Sequence, residues 1–261
     1  MSEKITASNL DYVISENRKI REEIDRLSVL VRSNGNLMQA DSVPQLGLAI
    51  LQKWGGILFP VEDQYWSGGI FVKDGNMIPV INTALPRVNQ YFTAWHEVYH
   101  LLFDHVSFDH LIGFDNTIEE RKAECFAASM MLSGLIQYFD SLQDFDFTQK
   151  VFCCMSMFQA PYKSVLISLY EFAVQNNNQI LIEMVRNNFD RQFFDLPKLF
   201  RQIGLDDNLV RPSYVVNTNV LKTKIRQQIK DKPDLHYHQT NEEQLNQILE
   251  KLELLVKDSY D

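Results

Sequence analysis

Residues 96–100 read His-Glu-Val-Tyr-His inside a largely apolar stretch, and no other feature of the chain restricts its fold as tightly. A helix turns about 100° per residue, so His96 and His100 lie about 40° apart on one face and one turn apart along the axis. The flanking residues Val88, Phe92, Trp95, Tyr99, Leu102 and Phe103 would bury much of that helix. Two imidazoles in such a setting need partners for their ring nitrogens, and one metal ion supplies a partner to both. Glu97, one step round from His96, can then reach a metal-bound water but not the inner coordination shell. This is the division of labour behind His-Glu-x-x-His, two ligands and a general base. In a chain of this composition the pattern arises by chance on the order of one time in a hundred.

A catalytic zinc keeps three protein ligands and leaves a fourth position for water. The best source of the third is Glu119-Glu120-Arg121-Lys122-Ala123-Glu124. Glu120 and Glu124, four residues apart, share a helix face, and Glu119 points elsewhere. Glu120 follows His100 by 20 residues, room for a loop containing Gly113 and a returning helix. Glu120 is therefore assigned as the third ligand and Glu124 as an acceptor that fixes the ring of a ligating histidine. Taken alone, a Glu-rich helix start is solvated charge favoured by the helix dipole; the waiting pair of histidines shifts the balance. A site of two His and one Glu suits Zn2+, with Mn2+ or Fe2+ as alternatives.

Around this centre the hydrophobic period changes along the chain. Apolar residues recur at three- and four-residue steps from about Ser8 to Arg32, which predicts one helix, with a break at Asn34-Gly35-Asn36. A second helix is expected from Val43 to Trp54, opened by Pro44 and closed by Gly55-Gly56. Ile57–Val61 reads as a strand, and Gly69–Lys73 with Met77–Asn82 as a hairpin around Asp74-Gly75-Asn76. Pro79 lacks a donor, which puts the strand Met77–Asn82 at or next to a sheet edge. The remainder is helical: Pro86 to Phe103, Thr117 to Leu132, Thr148–Phe158, Tyr162–Val174, Gln179–Asn188 and Val220–Lys230. A last helix is expected from a capping box at Thr240-x-x-Glu243 to about Lys257. Helices around one small sheet make an α+β fold.

The net charge of −9 disfavours contact with a phosphate backbone, so no direct nucleic-acid binding is expected. Phe152–Phe172 has the rhythm of a helix-turn-helix, but its second helix offers only Lys163 as a base. Lys222, Lys224, Arg226, Lys230 and Lys232 form a basic cluster that reads as a solvated helix face. Three cysteines, two of them adjacent, give no disulfide framework. With a polar N-terminus and apolar runs too short to span a membrane, they point to a cytoplasmic protein. Cys153-Cys154 reads as core, and His236-Tyr237-His238 as a surface turn after Pro233.

Three stretches together resemble the ImmA/IrrE-type metallopeptidases, a family of zincin-like peptidases. They are Gly68–Gly75 with Ile78–Asn82 and Leu85-Pro86-Arg87; Gln90–Phe103; and Glu120–Leu132, where a Glu is followed by Phe126-Ala127-Ala128 and an apolar run. The likeness spans about residues 44–135 and is weaker near Tyr162–Glu171. It implies a zincin-like core at 37–145, preceded by an N-terminal helix (1–36) and followed by a helical region (146–261) for substrate docking or regulation. It also implies His96, His100 and Glu120 as metal ligands and Glu97 as base. The implied activity is zinc-dependent cleavage of a specific cytoplasmic protein, typically a helix-turn-helix repressor of a mobile element or stress response. The alternative is a non-proteolytic, metal-binding regulator acting through a partner. The chain departs from the family at Tyr99, where a Gly is common and a narrower cleft is expected; at Glu124, where Asn or Asp is usual; and at Ser133, where a Pro usually stands. Such enzymes often add a Tyr, His or Arg to hold the oxyanion; Tyr99, His105, His110 and Tyr162 are candidates. In this picture a substrate strand pairs with Met77–Asn82 above the helix.

Overall fold

The computed structural model describes residues 4–34, 42–73, 76–104, 117–217 and 219–258. Within them lie eleven α-helices and one three-stranded mixed sheet, an α+β fold. The break at Asn34-Gly35-Asn36 and the Asp74-Gly75 turn fall at least partly outside the described residues.

Helix α1 (Leu10–Ser33), entered through a 3-10 turn at Ala7–Asn9, buries Leu10, Val13, Ile14, Ile20, Ile24 and Val31, the stripe its period dictates. Helix α2 (Val43–Lys53) carries Pro44 in its first turn. It ends at Trp54 with two nested bonds, Gly56 N–H to Leu51 O at 2.8 Å and Gly55 N–H to Gln52 O at 3.0 Å. Gly55, at φ +79°, supplies the left-handed residue that such an ending requires.

The chain then becomes extended: β1 (Ile57–Phe59), β2 (Gly68–Lys73) and β3 (Asn76–Asn82). The sheet order is β1-β3-β2, with β1 parallel and β2 antiparallel to β3. The strand that contains Pro79 is thus the central one, next to both edges of the sheet but not itself an edge. Thr83 N–H donates to Phe59 O at 3.0 Å, so the odd-numbered residues of β3 turn their nitrogens toward β1. The β1 register, however, begins only at Ile57↔Val80. Pro79 therefore faces a position that β1 has not yet reached, and its missing N–H removes no ladder bond. β1 also stops at Phe59 rather than Val61, because Val61 N–H turns to the side chain of Asn82, at 2.9 Å.

Asn82, with no exposure, organises the link between β1 and β2. Its Oδ1 also accepts from Ala84 N–H (3.0 Å), and its amide donates to Asp63 O (3.0 Å) and Trp66 O (2.8 Å). This draws β2 down onto helix α3 (Arg87–Phe103). A Cβ at Gly68 would sit 2.6 Å from Thr93 Cγ2 and 2.8 Å from Val80 O, so glycine is what allows the contact.

Helix α3 is enclosed by α2, the sheet and α4 (Thr117–Met131), and its Trp95 donates from Nε1 to Val43 O at 2.9 Å. Its start is sealed from far along the sequence. Arg87 N–H donates to Arg211 O (3.0 Å), and Ser213 and Tyr214 N–H both reach Thr83 O (3.2 and 3.0 Å). Asn217 N–H donates to Leu58 O at 3.0 Å, which covers the outer side of β1. Beyond α4 follow α5 (Leu135–Ser141), α6 (Phe147–Phe158), α7 (Tyr162–Gln175), α8 (Gln179–Phe189) and α9 (Leu196–Gln202). A 3-10 turn at Asp207–Val210 precedes α10 (Asn219–Asp231) and α11 (His238–Asp258). The short α5 and α9 have no counterpart in the sequence expectation. α11 starts two residues before the proposed Thr240 cap, and His238 is buried there rather than in a surface turn, with Nε2 2.5 Å from Lys232 O. One apolar core runs from Leu10 in α1 to Val210. No helix among the described residues is long and apolar enough to cross a membrane.

Replacing Asn82 by Ala leaves two backbone donors and two acceptors without their partner. Urea unfolding of this variant is expected to show a loss of about 3 kcal/mol, with the β1–β2 link the first region to lose amide-exchange protection.

Candidate metal centre

His96, Glu97 and His100 lie on the face of α3 that looks toward β2, and Glu120 comes from the first turn of α4. With Tyr65, Gly68–Ile70, Phe92 and Pro161 they line a cleft of about 460 Å³. His96 Nε2 stands 3.2 Å from His100 Nε2 and 3.2 Å from Glu120 Oε2, and His100 Nε2 is 3.5 Å from Glu120 Oε1. In a tetrahedral site with ligands about 2.0–2.1 Å from the ion, neighbouring ligand atoms are about 3.3–3.4 Å apart. The three side chains thus converge with the spacing that a zinc-sized ion requires. Among the described residues no further His, Cys, Asp or Glu joins the group.

The ring of His100 is held from behind. Its Nδ1 lies 2.9 Å from Asp104 Oδ2, and that contact leaves Nε2 directed into the cluster. Asp104 was not anticipated, although its i,i+4 relation to His100 on one helix was visible. Glu124 lines the same cleft, one turn beyond Glu120, but no hydrogen bond joins it to either imidazole among the described residues.

Electrostatically the centre is acidic. Burial drives the His96 imidazole down, but its bond to Glu120 and the neighbouring charges of Glu97, Glu120 and Glu124 outweigh this and raise it to about 9. His100 is lowered, by burial first and then by the charge of His96. Glu97 is only 5% exposed and makes no hydrogen bond among the described residues. Burial pushes its carboxyl up to about 7, with His96 opposing and Glu120 adding to the shift. A buried carboxylate without a partner is costly and is retained where chemistry uses it.

Tyr99 does not narrow the cleft. Its ring packs on the far side of α3 against Phe103 and Phe126, and its hydroxyl donates to Glu119 at 2.6 Å. Glu119 also pairs with Lys122 at 3.0 Å, so it points away from the cluster, as its helix position requires. The Tyr162 hydroxyl is likewise engaged, with Asn188 O at 3.1 Å. Neither tyrosine is available to hold an oxyanion, while His105 and His110 lie outside the described residues. Tyr65, 90% exposed on the cleft rim, is a hydroxyl the sequence did not single out.

Comparison with protein-family models, with curated proteins and with solved structures yields no match.

Purified in zinc without chelator, the protein is expected to carry about one zinc per chain by elemental mass spectrometry, and His100→Ala to carry none. Asp104→Ala should keep the site but weaken zinc affinity about 10–100-fold, read by competition with a chromophoric chelator.

Proposed function

We propose that the protein is a zinc-dependent endopeptidase with a zincin-like core. The observation that carries this reading is the buried carboxylate of Glu97, which makes no hydrogen bond among the described residues, beside the converging side chains of His96, His100 and Glu120. A purely structural zinc needs no such base and usually closes its fourth position with a protein ligand. The resemblance of the stretches around His96 and Glu120 to the ImmA/IrrE-type peptidases points the same way.

A bound zinc ion would supply Lewis acidity and bring the pKa of its water to about 7. His96, His100 and Glu120 would hold it, with Asp104 fixing the tautomer of His100. Glu97 takes the proton of the attacking water on its carboxylate and passes it to the departing amine nitrogen. Tyr65, exposed on the cleft rim, would be a hydroxyl donor to the substrate in this reading.

Backbone geometry supports an extended peptide as substrate. Asn82 N–H donates to Ser67 O at 2.9 Å, so pairs 67:82, 69:80 and 71:78 exchange the ladder bonds of the hairpin. Gly68, Ile70 and Val72 consequently turn their N–H and C=O groups to the outer edge of β2. That edge borders the cleft, whereas the outer edge of β1 is covered by Asn217. A substrate strand would therefore add to β2, not to Met77–Asn82, which lies inside the sheet. The resemblance suggests a helix-turn-helix repressor as the natural target.

The test uses zinc-loaded protein and a proteome-derived peptide library, with cleavage products identified by mass spectrometry. Glu97→Gln should keep one zinc per chain and lose about 10²–10⁴-fold in kcat/KM. If the wild-type protein cleaves nothing, or if Glu97→Gln does everything the wild type does in the cell, the metal-binding regulator becomes the better reading. Ile70→Pro removes an outward donor from β2. It is expected to raise KM for cleaved peptides about tenfold while zinc content stays unchanged.

A further inference from the structure

Side chains alternate across a strand, so the register of the sheet assigns each residue a face. Ile70, Pro79 and Ile81 are buried and share the face that packs on α3. Gly69, Phe71, Ile78 and Val80, with Ile57 from β1, share the opposite, outer face. None of these five carries a polar side chain, although the outer face of a small sheet ordinarily does. Phe71, 47% exposed, lies on the strand whose outer edge borders the metal cleft.

Trp66 joins Phe71 on this side. Asn82, two residues past Val80, also belongs to the outer face, and its amide holds Trp66 O at 2.8 Å, which draws the end of the β1–β2 link over it. The Trp66 and Phe71 rings meet edge to face, with centroids 6.5 Å apart. Gly69, two residues before Phe71 on this face, has no side chain to hold the rings apart. Trp66 and Gly69 also line the metal cleft, together with His96, Glu97 and Glu120. A partly exposed aromatic pair therefore stands at the same edge as the outward N–H and C=O groups of Gly68, Ile70 and Val72. Strand geometry couples the two. An antiparallel strand that takes those backbone groups must set alternate side chains opposite Gly69 and Phe71, in the non-hydrogen-bonded pairs where side chains come closest.

We propose that the cleaved polypeptide is selected by a large apolar side chain, aromatic or aliphatic, which lies opposite Gly69 on the outer face and packs on the Trp66–Phe71 pair. The proposal rests on the peptidase reading of the metal centre and on strand addition to β2. Gly69 offers no side chain of its own to be met, so the contact falls on the two rings, and burying their exposed surface against an apolar partner is what favours such a residue over a polar one. One step along the strand in either direction, the substrate turns its side chains to the α3 side and into the cleft. The apolar requirement thus falls beside, not at, a position that faces Glu97.

The experiment exposes a proteome-derived peptide library to the full-length, zinc-loaded protein and maps the cuts by mass spectrometry. Phe, Tyr, Trp, Leu or Ile should be enriched at one position within a few residues of the cut. For a synthetic peptide of that sequence, the ratio of kcat/KM with phenylalanine to that with serine at this position should fall about fivefold in Phe71→Ser. Phe71→Leu, which keeps an apolar group, should retain most of the ratio. Cleavage without apolar preference, or a ratio unchanged in Phe71→Ser, overturns the subsite and leaves the peptidase reading intact. A second readout needs no catalysis: fluorescein-labelled Thr-Phe-Thr-Phe-Thr and Thr-Ser-Thr-Ser-Thr titrated with zinc-loaded Glu97→Gln protein and followed by fluorescence anisotropy. Binding of the phenylalanine peptide about fivefold tighter, with the difference lost when Phe71→Ser is added, upholds the subsite even if no peptide is cleaved. No binding, equal binding, or a difference that survives Phe71→Ser rejects it.

Discussion

The structure depends on one compromise: α3 is buried on most of its circumference yet carries two imidazoles and a carboxylate. Trp95, Val98 and Tyr99 are almost wholly enclosed, which fixes the helix in rotation and depth. The polar groups on the remaining face cannot turn to bulk water and must be answered locally. Asp104 answers one ring nitrogen of His100, and Glu120 approaches the Nε2 atoms of both histidines. Glu97 is left without an answer, and its carboxyl rises to about 7 in consequence. A buried ion pair contributes little net stability, while a buried group that has lost its partner costs several kcal/mol. The arrangement is thus poorly explained as a stabilising feature, whereas a metal ion between the two imidazoles would give both Nε2 atoms a common partner.

Enclosure of α3 is achieved by segments distant in sequence. α1 is tied to α7 by Arg21 and Glu171, to the end of α4 by Arg32, and to Lys122 by Glu23. Residues 211–217 seal the start of α3 and the outer side of β1, and Ser213 fixes the Gln90 side chain at 2.8 Å. The residues that position the metal centre therefore include both flanks of the stretch that carries the motif. Loosening either flank is a change at the centre, transmitted through the orientation of α3 and α4.

Much of this was readable before the fold was known, because the decisive signals are local. The i,i+4 spacing of His96 and His100 and the shared face of Glu120 and Glu124 follow from helix geometry alone. Gly55-Gly56 as a helix stop follows from backbone sterics. What failed depended on pairing between strands or on which side a ring faces. Pro79 signals a missing donor, but whether that donor would have met a strand depends on where β1 begins, and β1 is too short to betray its register. Tyr99, standing where a Gly commonly precedes the second His, is expected from the sequence to narrow the cleft. One residue is 100° of rotation, and that carries its ring to Phe126 and Glu119 instead. Asp104 was legible in principle at four residues past His100. The hub at Asn82 was not, since its four backbone partners come from a link without periodicity.

The two edges of the sheet bear on how a substrate could approach. β1 is closed by Asn217, and β2, with outward-turned groups at Gly68, Ile70 and Val72, borders the cleft. Gly68 brings that edge against Thr93, within one turn of His96, because nothing larger fits. A strand added there would run past His96 and Glu97, which line the same cleft. In the peptidase reading proposed above, backbone bonds from Gly68, Ile70 and Val72 would hold an extended chain beside Glu97, so the glycine that lets β2 approach α3 would also set the distance between recognition and chemistry.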